Sequence, residues 1–306
     1  MNIGNTIIPI FFVIALGWVA RKMNWIPDTF VDPANRLVYY LAIPAMIFKA
    51  IYRTPLKTNI NITVLAITLT SVCVTALLAW FASKFMKVQF ARGTFIQSSM
   101  HGNLGYIGFA VAFYYLGREG LVKASLIAAF LMILQNFISV VALQLYSGDT
   151  GKNQRSIWFM AEKIMSNPVI VSAMIGIFFS LTGLKIPSVI NRILEIISSF
   201  ALPLALLIIG ATLSFKVVRA RPLLLCASSV FKLIILPGVG MSLFRIFDVS
   251  QDAFLPGLIL MAAPTATLAC VMAKEMHGDT DFAVAAVSLN TLLSAFAYTW
   301  WLHFAS

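Results

Sequence analysis

Ser98-Ser99-Met100-His101-Gly102-Asn103-Leu104-Gly105-Tyr106-Ile107-Gly108 lies inside a stretch, 93–117, that contains no Asp, Glu, Lys or Arg. A charge-free run of about 20 residues is what a helical membrane span needs. Yet this run carries three glycines and two strongly polar side chains, His101 and Asn103, at its centre. Glycine weakens a helix, and hydrocarbon supplies no water to freed backbone groups. A break at that depth is tolerated only where it is buried in protein or lines a wet cavity. The segment therefore predicts a span interrupted near its middle, at a binding site.

Charge-free runs recur along the chain at 3–20, 58–83, 124–148, 164–184, 196–215, 253–273 and 282–306, and 33–52 and 222–244 are interrupted only by Arg36, Lys49 and Lys232. The reading is an all-α integral membrane protein of ten transmembrane helices. Composition agrees: 60% of residues are hydrophobic and 11% charged, against about 25% charged in soluble domains. A mean hydropathy of +0.91 excludes a soluble enzyme. The net charge of +11 would suggest nucleic acid in a soluble protein; here the bases are topology signals, and the partner is the lipid bilayer rather than nucleic acid. With the N-terminus outside, 13 bases fall on inner loops and 8 on outer ones, which places both termini outside. Residues 3–20 lack a preceding basic region and are followed by Arg21-Lys22, which reads as a retained first span. Cys73, Cys226 and Cys270 are odd in number and lie in apolar runs, so no disulfide framework is expected.

The polar stretch 147–156 divides the spans five and five, and is expected as a cytoplasmic linker between a first repeat, 1–146, and a second, 157–306. Pro9 and Pro168, Gly17 and Gly176, Ala42 and Ala201, Pro44 and Pro203, Ala110 and Ala269, and Phe137 and Phe296 are each 159 residues apart. An odd number of spans per half forces the second repeat upside down, which gives two inverted five-helix repeats with broken, crossing helices 4 and 9. At the same offset Gly105 falls on Pro264, within Met261-Ala262-Ala263-Pro264-Thr265-Ala266-Thr267. The candidate substrate-binding residues are accordingly His101, Gly102, Asn103, Leu104 and Gly105 on one break and Ala263, Pro264, Thr265, Ala266 and Thr267 on the other.

Half-helix N-termini facing such a site each present roughly half a positive charge and unpaired N–H groups, so the expected substrate is a small organic anion. All eleven acidic residues lie in loops or near helix ends, which speaks against a buried-carboxylate proton relay, a carboxylate sodium site and a cationic substrate. Lys232, with ten or more uncharged residues on either side in its run, is read as compensating an anion or a cluster of carbonyls, or as a structural amine on helix carbonyls. His101 reads as a carboxylate ligand, a proton carrier or an interhelical hydrogen bond; Asn103 as a ligand or as interhelical glue. Of Gln135 and Asn136, adjacent on one helix, at most one faces the cavity; Gln135 joins the candidate set. No metalloprotease, hydrolase-elbow, Walker or dinucleotide motif occurs, and Gly278-Asp279 lacks the partner aspartate of an intramembrane protease. Neither an enzyme activity, a cofactor nor a metal is expected.

Several short motifs, in order across the spans, resemble the auxin efflux carrier family of the bile/arsenite/riboflavin transporter superfamily. Asn35-Arg36-Leu37-Val38 with Ala42-Ile43-Pro44 is similar to that family's second span, and Leu202-Pro203 through Ile209-Gly210 to its seventh. Asn103 and Gly108 keep the spacing of its first crossover, with Gly102 in place of a proline. Leu134-Gln135 matches the fifth span, and Pro264 with Ala273-Lys274-Glu275 the second crossover, where Ala269 replaces a usual proline. Lys232-Leu233-Ile234-Ile235-Leu236-Pro237 stands where plant members carry a basic residue. The resemblance implies a scaffold of spans 1, 2, 6 and 7, a transport domain of spans 3–5 and 8–10, elevator-type alternating access and a homodimer. Plant members export an indole acetic acid anion, and bacterial relatives are associated with small carboxylates such as malonate. The long central loop of the plant carriers is replaced by 147–156, and the compact chain implies a bacterial inner-membrane protein.

The function expected is a secondary transporter of organic anions, either malonate-like dicarboxylates or auxin-like monocarboxylates. The alternatives are a sodium-coupled organic anion symporter and a non-transporting membrane sensor.

Overall fold

The computed structural model describes residues 3–52, 61–146, 167–214 and 221–305; the expected linker 147–156 lies outside the described residues. The elements are α1 (Ile3–Lys22), α2 (Asp28–Leu37), α3 (Ile43–Ile51), α4 (Ile62–Ser83), α5 (Phe90–Met100), α6 (Phe109–Tyr146), α7 (Pro168–Thr182), α8 (Ser188–Ser199), α9 (Ala201–Thr212), α10 (Pro222–Val230), α11 (Leu236–Ile246), α12 (Gln251–Ala262), α13 (Leu268–Glu275) and α14 (Thr280–Ala305). Wider π-helical turns at Val38–Ala42 and Phe231–Ile235 join α2 to α3 and α10 to α11, and a third, Leu104–Gly108, leads into α6. Such turns occur mostly as single-turn insertions in helices, and frequently at functional sites.

Six helical stretches are long and apolar enough to cross a bilayer: Ile3–Lys22, Ile62–Ser83, Leu104–Tyr146, Ser188–Thr212, Pro222–Ile246 and Thr280–Ala305. The third of these has 43 residues and at 1.5 Å per residue would measure roughly 65 Å, twice a hydrocarbon core of about 30 Å. It turns instead at Gly117, whose φ of 72° and ψ of −162° lie where essentially only glycine goes. Runs that the sequence reads as single spans are subdivided elsewhere: 33–52 by the π turn after Leu37, and 253–273 by an interruption after Ala262.

The chain divides into two compact units. The first contains α1–α3, residues Gly105–Ala129, and α7–α9. Within it α1 packs on α9, and α3 packs on α7 and α8. The first of these contacts is backbone on backbone: a Cβ at Gly17 would overlap the Leu207 carbonyl, and one at Gly210 the Ile14 carbonyl. On the other pair, a Cβ at Gly176 would lie 3.1 Å from Ile51 Cβ and 3.6 Å from Phe48 Cα. α7 is punctuated locally. Asn167 Oδ1 accepts the Val169 N–H at 2.9 Å, Pro168 occupies the first helical turn, and Gly183 closes the helix with φ 68°. Glu195 on α8 pairs with Lys49 of α3 at 3.2 Å and with Arg192 at 3.0 Å.

The second unit contains α4, α5, Phe130–Tyr146 of α6, and α10–α14. An apolar cluster including Phe95, Ile96, Leu225 and Phe282 joins α5, α10 and α14. α14 is capped by Asp279, whose Oδ1 accepts the Phe282 N–H at 3.0 Å while Oδ2 accepts Arg221 at 2.5 Å. Among the described residues there is no strand, only one isolated bridge, and it lies at the site.

Candidate functional site

α5 ends at Met100, where His101 turns extended (φ −80°, ψ 103°). α12 ends at Ala262, where Ala263 does the same (φ −58°, ψ 138°). The second interruption has a direct cause: proline has no N–H to donate and pushes the residue before it out of the helical region. The two interruptions lie side by side in the second unit. Gly102 and Thr265 form an antiparallel bridge. The Asn103 N–H donates to the Pro264 carbonyl at 2.7 Å, and the Ala266 N–H to the His101 carbonyl at 2.9 Å. Backbone groups released by one broken helix are thus satisfied by the other, as burial demands.

A helix end also leaves about four carbonyls without intrahelical donors, and side chains together with the next backbone N–H close most of these. In α5, Gln97 O accepts the His101 N–H at 2.9 Å, Ser98 O accepts Thr265 Oγ1 at 2.7 Å, and Met100 O accepts Gln135 Nε2 at 3.2 Å. In α12, Ile259 O accepts the Tyr298 hydroxyl at 3.1 Å, Leu260 O the Ala263 N–H at 3.3 Å, and Met261 O the Lys232 ammonium at 2.8 Å. Met100 and Ile259, each capped by a helix that follows, are 159 residues apart.

Of the residues expected at the site, His101, Gly102, Asn103, Leu104, Gln135, Lys232, Ala263, Pro264, Thr265 and Ala266 are buried together in this unit. Thr267 is half-buried and precedes α13, and Gly105 belongs to the first unit. There Tyr106, one residue further on, donates its hydroxyl to Asn35 Oδ1. Gln135 faces the break and accepts the Gly102 N–H at 3.2 Å, whereas Asn136 is half-buried. His101 Nδ1 shares a hydrogen bond with Ser139 Oγ at 3.1 Å, which is the interhelical reading of that residue. Lys232 is fully buried on a carbonyl, and a Cβ at Gly102 would come within 3.4 Å of its Nζ, so the ammonium also borders the first break.

Sequence reasoning missed Ser98, Ser139, Asn290 and Tyr298. Ser, Thr and Tyr are common in apolar spans and carry no signal of their own. A search for amides inside the runs would have found Asn290, which donates to Thr265 Oγ1 at 2.7 Å.

Two interrupted helices stitched together inside an apolar helical chain mark a membrane transport protein. A family model described as "Membrane transport protein" matches residues 3–302, and the chain belongs to this family, the auxin efflux carrier family. It is a transporter and not an enzyme. A Rhizobium meliloti (strain 1021) protein named "Putative malonate transporter" is 26% identical over 306 residues, covering 97% of this chain and 94% of that one. A protein of Methanothermobacter thermautotrophicus named "Uncharacterized transporter" is 23% identical, with 98% of each chain covered. An uncharacterized transporter of Methanocaldococcus jannaschii is 22% identical, with 97% of each covered.

Proposed function

We propose that this protein is a secondary carrier of small organic anions, with dicarboxylates of the malonate type as the leading substrates. The observation that carries the reading is the reciprocal stitching of the two breaks through Gly102, Asn103, Pro264 and Thr265. Irregular backbone buried at the centre of membrane helices is the hallmark of a transporter's substrate site. Asn103, beside the break, supplies amide donors to a carboxylate, and Lys232 offsets charge there. Malonate enters from the name of the Rhizobium meliloti relative.

The wider architecture belongs to the same proposal: ten spans as two inverted repeats, spans 1, 2, 6 and 7 as scaffold, spans 3–5 and 8–10 as an elevator, a homodimer, and a bacterial inner-membrane location with both termini outside. Coincidences at the 159-residue offset support the repeats. Gly17 packs on Leu207, and Gly176 packs on Phe48, the position 159 residues before Leu207. Capped Met100 and capped Ile259 form a second such pair. Purified protein in liposomes preloaded with unlabelled malonate should take up labelled malonate by counterflow. Binding without exchange would leave a sensor rather than a carrier.

A further inference from the structure

Lys232 is not carried by a regular α-helix. It lies in the wide turn Phe231–Ile235, where the Leu236 N–H reaches back five residues to Phe231 O. An α-helical N–H reaches back four, and each residue of an α-helix adds about 100° around the axis. One residue more in the turn therefore swings Lys232 by about that angle relative to α11. The width of the turn sets the direction in which the ammonium leaves its helix.

The turn also has a gap of its own. Pro237, in the first turn of α11, has no N–H to give. Leu233, four residues earlier, is thus left without an α-helical donor for its carbonyl. Trp301 on α14 supplies one: its Nε1–H donates to Leu233 O at 2.8 Å, and the residue is only 4% exposed.

Tyr298 stands three residues before Trp301, on the same face of α14. Its buried hydroxyl donates to Ile259 O at 3.1 Å, near the end of α12. Two residues after Ile259, Met261 O accepts the Lys232 ammonium at 2.8 Å. One face of α14 therefore bonds the backbone on both sides of that contact, at the residue following Lys232 and at the helix end that holds Met261. Buried hydroxyls elsewhere in this unit bond back along their own helix, as Ser71 does to Ile67, Thr75 to Ser71 and Ser99 to Phe95. Tyr298 and Trp301 instead spend their donors on two other elements, the two that meet through Lys232.

We infer that Tyr298 and Trp301 are positioning residues for Lys232: Trp301 fixes the wide turn that carries the ammonium, and Tyr298 fixes the helix end that receives it. Neither touches substrate in this scheme. Their bearing on substrate affinity rests on the carrier reading above; their coupling to Lys232 stands on the hydrogen bonds alone.

Trp301→Phe and Tyr298→Phe each remove one donor and keep a ring. Thermal unfolding of the purified full-length protein is measured for Trp301→Phe, for Lys232→Met and for the double variant. Groups that act through one another are non-additive, so the double variant should lose clearly less in midpoint than the two single losses combined. Fully additive losses overturn the inference. The same cycle with Tyr298→Phe decides the matter should a Trp301→Phe variant fail to fold. In malonate counterflow, Trp301→Phe and Tyr298→Phe should raise the half-saturating concentration about twofold to tenfold, as loss of one neutral hydrogen bond allows, with little change in maximal rate per folded protein. Trp300→Phe, at the half-exposed neighbouring ring, should change neither. Unchanged half-saturation in both donor variants means that the two side chains only stabilise the fold, and overturns the positioning role. Absence of malonate exchange in the unaltered protein refutes the carrier instead, and the unfolding cycles still decide whether Tyr298 and Trp301 act through Lys232.

Discussion

Lys232 and Asn103 are the two side chains on which the chemistry of the crossing turns, and they act differently. Lys232 Nζ sits 2.8 Å from Met261 O inside protein. A methionine of similar length cannot donate, so Lys232→Met leaves the carbonyl unmet, at a cost of about 1–3 kcal/mol. The midpoint of thermal unfolding should fall accordingly, and an unchanged midpoint would show that the ammonium does not hold the break. Asn103 already commits its backbone N–H to Pro264 O, and its side chain is the proposed carboxylate ligand. A hydrogen bond to a charged group is worth roughly 1.5–3 kcal/mol, so Asn103→Ala should weaken malonate binding about tenfold to a hundredfold while the fold persists. Normal affinity in that variant reassigns Asn103 to interhelical glue.

Among the elements, two glycines are required for unlike reasons. Gly17 lets α1 approach α9 until backbones touch, and any Cβ there strikes Leu207. Gly117 has nothing within 4 Å of where its Cβ would be, but its φ is 72°. Gly17→Val should lower stability by about 1–3 kcal/mol through overpacking. Gly117→Ala should cost a similar amount, about 1–3 kcal/mol, through backbone strain alone. Unfolding midpoints of both variants, with Gly17→Ala as the milder member of the first series, check the pair: graded loss with side-chain size is expected only at Gly17. The breaks in α5 and α12 were legible because Gly, Asn and Pro are helix-weakening residues wherever they occur. The π turns at Val38–Ala42 and Phe231–Ile235 were not, since neither contains Gly, Pro or Asn to mark a change in helical pitch.

For the whole molecule, moving one charge across the bilayer is worth about 2.3 kcal/mol per 100 mV. A carrier moving more negative than positive charge should export its substrate faster from liposomes held negative inside. Efflux of labelled malonate at two clamped potentials measures this, and indifference to voltage would mean that cations fully neutralise each translocated anion. The proposed topology is checked separately. Accessibility tags after residue 306 and within 147–156 should label from opposite sides of the membrane, and labelling of the former only from the cytoplasm reverses the assignment.

The amino-acid sequence by itself determined that the chain is helical and membrane-embedded, because transfer from water to hydrocarbon depends on composition over some twenty residues at a time and needs no knowledge of neighbours. It also located both helix interruptions, because the helix-weakening preferences of Gly102 and of Pro264, which also restricts the residue before it, are local. Only the tertiary structure decided who satisfies the groups those interruptions release. That Met261 receives Lys232, Met100 receives Gln135 and Ile259 receives Tyr298 depends on which helices are neighbours. That Asn290 Oδ1 is left unmet follows from a single hydroxyl, Thr265, which gives its one hydrogen to Ser98 O and so turns the Asn290 amide nitrogen toward itself. Hydrogen-bond saturation is a property of three-dimensional neighbours, and no pattern along the chain encodes it residue by residue.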